Sequence, residues 1–138
     1  MSDAPKRGLF GRPATVIREA HFPGRAPVDA YGNGGFRFAE MSHRGSILCL
    51  LSGIHGWDVS NPNDLTPDTF RPVLNEGERI EVLLVGTGTD LVPLPKALRA
   101  ALREHGISAD PMSTGAAVRT FNVLLSEGRA VAAALIAV

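Results

Sequence analysis

The sequence predicts a single α/β domain built around one buried sheet, and three observations indicate this fold. Five of the six residues from Ile80 to Val85 are apolar without alternation, which is typical of a strand covered on both faces. Two amphipathic helical patterns follow this strand, and a second continuous apolar run occupies residues 130–138. Strands and helices in this order are typical of α/β domains, with the strand at 80–85 in the centre.

Composition excludes several classes of protein. With 138 residues the chain has the length of one ordinary domain, which buries a core without disulfides or metals. Lys plus Arg equals Asp plus Glu at 14 each, so no net charge attracts nucleic acid, and we predict no nucleic-acid binding. The single cysteine, Cys49, excludes an intramolecular disulfide.

The apolar runs predict where the protein resides. The longest, Ile47 to Leu51 and Ala130 to Val138, are far too short for a membrane span, and residues 1–11 lack the apolar centre of a signal peptide. We therefore expect a soluble cytoplasmic protein that does not insert into membranes. Residues 1–14 mix prolines, glycines and charges, which predicts a flexible arm there and one domain over residues 15–138.

The first half of the domain has mostly extended patterns. After a short strand at Thr15 to Ile17, the segment Val28 to Glu40 predicts an antiparallel hairpin beside the main sheet, with Phe36 and Phe38 on the face opposite Arg37. A turn is predicted at residues 43–46, followed by a buried strand at 47–51 and an interruption at Gly53 and Gly56. A helix is predicted from Thr66, and Pro72 should keep it short or split it.

The second half alternates helices and strands. Pro95 opens an amphipathic helix with a stripe of leucines, and Gly106 ends it. A short strand or an extended link is predicted from Ile107 to Met112. A helix capped by Ser113 or Thr114 then extends to Gly128, and the run Ala130 to Val138 predicts a strand in the interior of the sheet.

Two places could bind an anion. The loop Gly86-Thr87-Gly88 follows a buried strand, where backbone N–H groups can hold phosphate, but Leu91 stands where a dinucleotide motif has its third glycine. The helix start at Thr114-Gly115, with Arg119 one turn later, offers a second set of donors. A sharp turn and ordinary helix capping explain the same residues, so both interpretations stay open.

The remaining reactive residues predict no catalytic or metal site. The four histidines lack paired metal-ligand spacing, and no cofactor motif is complete, so we predict no metal and no cofactor. Cys49 lies within a buried run, and Ser52 lacks the preceding glycine of a nucleophile elbow. Tyr31 and Trp57 are candidate anchors for a protein partner, since exposed large aromatics contribute strongly to interfaces, although core packing is the alternative for both.

An ordered set of short motifs is similar to a known family. It comprises Tyr31-Gly32-Asn33-Gly34-Gly35-Phe36, Leu65-Thr66-Pro67, Glu81-Val82-Leu83-Leu84-Val85-Gly86-Thr87-Gly88, Met112-Ser113-Thr114 with Thr120-Phe121-Asn122, and Glu127-Gly128-Arg129. Over about residues 15–138 the chain resembles the small single-domain family that contains mitochondrial respiratory complex I assembly factor 3 and bacterial and archaeal relatives.

This resemblance implies a three-layer domain around a mixed sheet, protein partners, and no established enzymatic activity or catalytic residues. The eukaryotic relatives are mitochondrial. We therefore predict a non-catalytic protein-interaction module, an assembly factor for a respiratory or other multisubunit complex. The alternative is an anion-binding protein or enzyme that uses the Gly86–Gly88 loop and the helix start at Thr114. A sheet edge or the hairpin would also permit a homo-oligomer.

Overall fold

The structure, a computed structural model, describes residues 20–138, so the predicted arm and the strand at 15–17 lie outside the described residues. These residues form nine strands and three α-helices. In chain order they are β1 (His21–Phe22), β2 (Val28–Gly32), β3 (Gly35–Phe38), β4 (Met41–Arg44), β5 (Ser46–Leu50), β6 (Gly53–Trp57), α1 (Arg71–Leu74), β7 (Val82–Gly86), α2 (Lys96–Glu104), β8 (Ala109–Met112), α3 (Thr114–Ser126) and β9 (Val131–Leu135).

The main sheet has six strands in the order β1-β6-β5-β9-β7-β8, and it is mixed. Strand β7 pairs in parallel with both β8 and β9, whereas β5 pairs antiparallel with β9 and β6. The predicted final strand therefore lies in the sheet interior, between β5 and β7. Its side chains are small and fully buried on both faces, as the sequence predicted.

Two hydrophobic clusters cover the two faces of this sheet. On the first face, side chains of α1 and α2 pack on β5, β7 and β9, with Phe70, Leu98 and Leu102 at most 1% exposed. On the second face, α3 and the three-stranded sheet β2-β3-β4 pack together, and Phe38 and Phe121 are both buried there. This arrangement confirms the predicted three-layer α/β fold.

The hairpin is confirmed as β2 and β3, but the structure extends it by a strand that the sequence did not predict. His43 and Arg44 belong to β4, where His43 pairs with Phe36 and Arg44 with Gly35, so the turn predicted at residues 43–46 is wrong. The turn is confined to Gly45, whose φ of 101° suits glycine. The interruption predicted at Gly53 and Gly56 is also wrong, because both glycines lie in β6, which pairs with β5.

The predicted helices are present. The helix after Thr66 is split into a 3₁₀ turn at Asp68–Phe70 and the short α1, as Pro72 led us to expect. Helix α2 follows Pro95, and Gly106 stands just beyond it at a φ of 73°. Ser113 is the residue that caps α3, with its Oγ accepting from the Ala116 N–H at 3.4 Å.

Candidate functional site

The two predicted anion-binding segments meet in the structure at a place that we call the β7–α3 junction, defined by Gly86, Thr87, Gly88 and Thr114. The Thr114 N–H donates to the Gly88 carbonyl at 2.8 Å, and the Gly88 N–H donates to Thr114 Oγ1 at 3.0 Å. The loop after β7 is thus bonded directly to the first residue of α3. The sequence identified both segments, but only the fold brings them together.

The hydroxyl groups at the β7–α3 junction are buried and bonded within the protein. Thr114 Oγ1 donates to the Ile136 carbonyl at 2.7 Å, and the Thr114 side chain is 0% exposed. Thr87 Oγ1 donates to the Asp90 carbonyl at 2.7 Å and accepts from the Val92 N–H at 2.9 Å. These donors and acceptors satisfy one another, as buried polar groups in folded proteins do.

Gly86 allows α3 to approach β7 closely. A Cβ atom at this position would lie 2.9 Å from Thr114 Cα and 3.1 Å from Leu135 Cδ2. A glycine at this position therefore allows the close packing of α3 on β7. The contacts of Gly86, Thr87, Gly88 and Thr114 favour a structural role, and anion binding at this junction stays a prediction.

Gly115 and Arg119 lie one turn apart on α3 and face the three-stranded sheet at Tyr31. Arg119 Nη1 is 3.4 Å from the Tyr31 hydroxyl oxygen, and a Cβ atom on Gly115 would lie 2.5 Å from the same oxygen. Gly115 therefore makes room for the phenol of Tyr31, whose side chain is 42% exposed. An anion-binding candidate, Arg119, and a partner-binding candidate, Tyr31, thus form one exposed polar pair.

Trp57, the second partner-binding candidate, is half-buried and anchored. Its indole Nε1 donates to the Thr69 carbonyl at 2.9 Å, and its ring packs edge to face on Phe70 with the ring centres 5.3 Å apart. The exposed part lines a cleft of about 330 Å³ with Pro72 and Ser52. These contacts favour core packing for Trp57, and partner binding there stays a prediction.

Ser52, His55 and Glu76 cluster at the same cleft, but their hydrogen bonds do not have the order of a catalytic triad. The Glu76 carboxylate accepts from the Ser52 hydroxyl and, at 3.1 Å, from the Leu51 N–H. His55 Nε2 is 3.5 Å from Ser52 Oγ. In a hydrolytic triad the acid orients the imidazole, whereas here it binds the serine and the hairpin backbone. The cluster therefore closes the β5–β6 turn.

Cys49 is buried and has the character of a packing residue. Its side chain is 1% exposed, and burial raises the pKa of the thiol to about 12, opposed by the nearby Arg25 guanidinium. At neutral pH the sulfur is a protonated thiol, whereas a nucleophile needs an accessible thiolate. Within residues 20–138, no group of three or more His, Cys, Asp or Glu side chains is placed to hold a metal ion.

Sequence reasoning missed part of the polar surface near Tyr31. The sequence predicts Arg37 on the side of the hairpin opposite Phe36 and Phe38, but it predicts a turn at Arg44. In the structure both are exposed and line one concavity with Tyr31. The available signal was the two-residue alternation of Ser42 and Arg44, which continues the pattern of the hairpin.

None of the helices in the described part of the chain is long and apolar enough to cross a membrane.

Comparison with known proteins identifies the family. The model of the family described as "Protein of unknown function (DUF498/DUF598)" matches residues 28–136, which include all of the sheet strands except β1. The chain belongs to this family.

Among its relatives, an uncharacterized protein of Rhodobacter capsulatus is 42% identical over 119 residues, which cover 86% of this chain and 90% of that protein. The NADH dehydrogenase (ubiquinone) 1 alpha subcomplex assembly factor 3 of Homo sapiens is 34% identical, with 96% of this chain and 77% of the human protein covered. The Mus musculus protein of the same name is 31% identical over 93% of this chain and 69% of its own length. The resemblance seen in the sequence is thereby confirmed.

Solved structures of similar proteins have the same fold. A crystal structure described as an outer membrane protein from Bartonella henselae is 65% identical and superposes with a TM-score of 0.82 over 85% of this chain and 98% of that chain. The NMR structure of Rpa2829 from Rhodopseudomonas palustris is 47% identical, with a TM-score of 0.76 over 88% and 90% of the two chains. The protein MT938, at 14% identity and a TM-score of 0.57, is similar in fold alone.

Proposed function

We propose that this protein is a non-catalytic protein-interaction module that assists the assembly of a multisubunit complex, in the first instance a respiratory NADH dehydrogenase. The observation that carries the proposal is the match to relatives named as assembly factor 3 of NADH dehydrogenase, at 31% to 34% identity over 93% to 96% of this chain. The match covers nearly the whole chain, so the proposal concerns the domain and not one shared motif.

The site geometry supports an interaction role over a catalytic one. The hydroxyls of Thr87 and Thr114 are bonded within the protein, and the Ser52 hydroxyl donates to Glu76. The exposed polar pair, Tyr31 and Arg119, belongs instead to the residue types that dominate protein interfaces. We propose these two residues as partner contacts. The proposal assigns no cofactor and no small-molecule substrate.

Deletion of the gene tests the assembly role. Membranes of the deletion strain should contain several-fold less assembled NADH dehydrogenase by native gel electrophoresis and by NADH oxidation, with the wild-type gene restoring the level. A second respiratory complex, measured in the same membranes, is the internal control. An unchanged level of assembled NADH dehydrogenase in the deletion strain would count against the proposal.

Partner capture and ligand stabilisation separate an interaction module from a small-molecule site. The tagged protein should capture NADH dehydrogenase subunits from extracts of its own cells, as identified by mass spectrometry. Nucleotides and small carboxylates should leave the melting temperature of the protein unchanged. A ligand that binds the native state would raise the melting temperature in proportion to the logarithm of the ligand concentration. Saturable stabilisation that is lost in Arg119→Ala would contradict the interaction proposal.

Cytoplasmic localisation and the oligomeric state stay predictions. Cell fractionation tests the first and light scattering tests the second.

A further inference from the structure

The three-stranded sheet has one face in the core and one face outside. The strand register places Ala30, Arg37 and Ser42 side by side across β2, β3 and β4, and it does the same for Gly35 and Arg44 on the neighbouring row, with Gly32 beside Gly35. Side chains alternate along a strand, so these residues lie opposite the buried Phe36 and Phe38. We call the set Ala30, Gly32, Gly35, Arg37, Ser42 and Arg44 the outer face.

The outer face is concave because its floor is made of small residues. It lines a concavity of about 290 Å³, in which the two glycines, Ala30 and Ser42 leave room between the two arginines. Gly35 cannot be replaced without moving the sheet, because a Cβ atom there would overlap the backbone carbonyl of His43. The position of Gly35 in the floor of the concavity is therefore fixed by the backbone pairing.

Within residues 20–138, the charge of this surface is positive and uncompensated. Arg37 and Arg44 both line the concavity, and no acidic residue of this part of the chain does. The ion pairs among residues 20–138 involve only Arg71 and Arg129 as cations. Within that part of the chain, Arg37 and Arg44 have no hydrogen bond or ion pair through their guanidinium groups. In sequence the nearest acids are Asp29 and Glu40, both exposed and both outside the lining.

Tyr31 borders the concavity, but its pairing with Phe36 places its side chain on the face towards helix α3. Its hydroxyl oxygen is 3.4 Å from Arg119 Nη1, so this exposed pair lies beside the outer face and is not part of it. Arg119 likewise has no carboxylate partner among the described residues. Aromatic and arginine side chains together are the composition found at the centre of protein interfaces.

We propose that the outer face binds an acidic segment of a partner protein, with carboxylates paired to Arg37 and Arg44. The inference rests on the proposed interaction function and gives its partner a chemistry. Guanidinium groups match carboxylates in a planar, two-bond geometry, which favours glutamate or aspartate as the groups bound. A peptide is favoured over nucleic acid because the chain as a whole is neutral and offers no field to attract a phosphate backbone.

An NMR titration with a hexaglutamate peptide tests the proposal on the full chain. The amide signals of residues 30–44 should shift saturably, while a hexalysine peptide and single-stranded oligothymidylate should cause no saturable shift there. Preferential binding of the oligothymidylate at the outer face would overturn the acidic-protein assignment, as would hexaglutamate shifts located elsewhere on the molecule.

Charge reversal identifies the residues responsible. Arg37→Glu and Arg44→Glu should each weaken hexaglutamate binding by about tenfold or more, because each replaces an attractive contact with a repulsive one. Arg99→Glu, at an exposed position on α2, makes the same change in net charge and should weaken binding less than about twofold. Equal losses in all three variants would indicate a general charge effect and overturn the proposed site. Arg37→Lys keeps the charge but loses the two-bond geometry, so it should weaken binding less than Arg37→Glu does. The melting temperature of each variant establishes that it is folded.

The assembly assay separates failure of this inference from failure of the proposed function. If the surface is correct, the double variant Arg37→Glu/Arg44→Glu fails to restore NADH dehydrogenase in the deletion strain, whereas Arg99→Glu restores it. If the double variant restores assembly fully and binds hexaglutamate like the wild type, the outer face is not the docking surface, although the assembly role stands. If deletion leaves assembly unchanged while hexaglutamate binds at the outer face, the surface stands and the assembly role fails.

Discussion

At the scale of single residues, the Thr114 hydroxyl connects three segments that are distant in sequence. It accepts from the Gly88 N–H at 3.0 Å and donates to the Ile136 carbonyl at 2.7 Å, at the start of α3. Asn122 acts similarly on the same helix, because its side-chain amide accepts from the Val28 N–H at 2.9 Å and donates to the Val28 carbonyl at 2.8 Å. Both side chains satisfy backbone groups of other elements, which fixes the position of α3.

Replacing Thr114 by valine should destabilise the protein by about 3 kcal/mol. The change keeps the shape but leaves the Gly88 N–H and the Ile136 carbonyl without their partner, at roughly 1 to 3 kcal/mol for each buried group. Urea denaturation measures the loss. Thr114→Ser keeps the hydroxyl and is the matched control, with an expected loss of about 1 kcal/mol for the methyl group. A Thr114→Val variant as stable as Thr114→Ser would show that the hydroxyl bonds do not contribute.

At the scale of elements, α3 lies close to β7 because Gly86 stands at the point of contact. Residue Gly86 ends β7 and pairs with Met112 of β8 and Leu135 of β9, so the backbone there is held on both sides. A strand fixed in this way cannot move aside for a larger side chain, since protein interiors are close-packed. The glycine that suggested a phosphate loop therefore has a packing function in this fold.

Gly86→Ala should destabilise the protein by about 2 kcal/mol or more. The added methyl group would lie 2.9 Å from Thr114 Cα and 3.0 Å from Thr114 Oγ1, and overpacking of this kind forces the backbone to shift. Thermal and urea denaturation give the size of the effect. Gly24→Ala is the control, because its methyl group would meet only Phe22, at an ordinary 3.4 Å, and should change stability by less than about 0.5 kcal/mol. Equal effects of the two substitutions would refute the packing explanation.

At the scale of the whole molecule, the two sheets share one of the two hydrophobic clusters. Phe36 and Phe38 of β3 are buried in the same cluster as Ile47 of β5 and Phe121 of α3. The main sheet in turn joins this cluster to the other, since Leu48 and Cys49 point to opposite faces of β5. Neither sheet can lose its packing without exposing part of the other.

The domain should therefore unfold in a single transition. Trp57, the single tryptophan, packs against the first cluster, so its fluorescence reports on that face of the main sheet. NMR signals of the β3 amides report on the three-stranded sheet. In urea both probes should give the same midpoint, which is the test of two-state behaviour in domains of this size. Loss of the β3 signals at a lower urea concentration would show that the three-stranded sheet unfolds separately.

Local patterns in the sequence were sufficient to predict much of this fold. Continuous apolar runs predicted β5, β7 and β9, since only strands covered on both faces have such runs. The spacing of apolar residues and the terminal residues predicted α2 and α3. The structure confirms that α2 ends just before Gly106 and that Ser113 caps α3. These features depend on residues within a few positions of one another, so the chain alone carries them.

The missed strands depend on contacts that the sequence does not display. Gly53 appeared to interrupt the structure, yet it lies in β6, where a Cβ atom would overlap the backbone of Phe22 in β1. Strand β4 has the polar sequence Met41-Ser42-His43-Arg44, and it forms because β3 offers it a pairing edge. A glycine in a strand or a polar strand is stabilised by its neighbours, which local propensity does not include.

The sequence by itself determined which segments are helices and buried strands, because side-chain periodicity fixes the face that each element buries. Tertiary structure alone decided the roles of the polar residues. The sequence predicts Thr114 and Gly88 as candidates for binding an anion, and only the fold bonds them to each other. Arg44 becomes part of a surface only because β4 pairs with β3. A polar side chain is the same in the sequence whether it is hydrogen-bonded inside the protein or exposed to solvent. Whether it can bind another molecule therefore depends on which groups the fold places beside it.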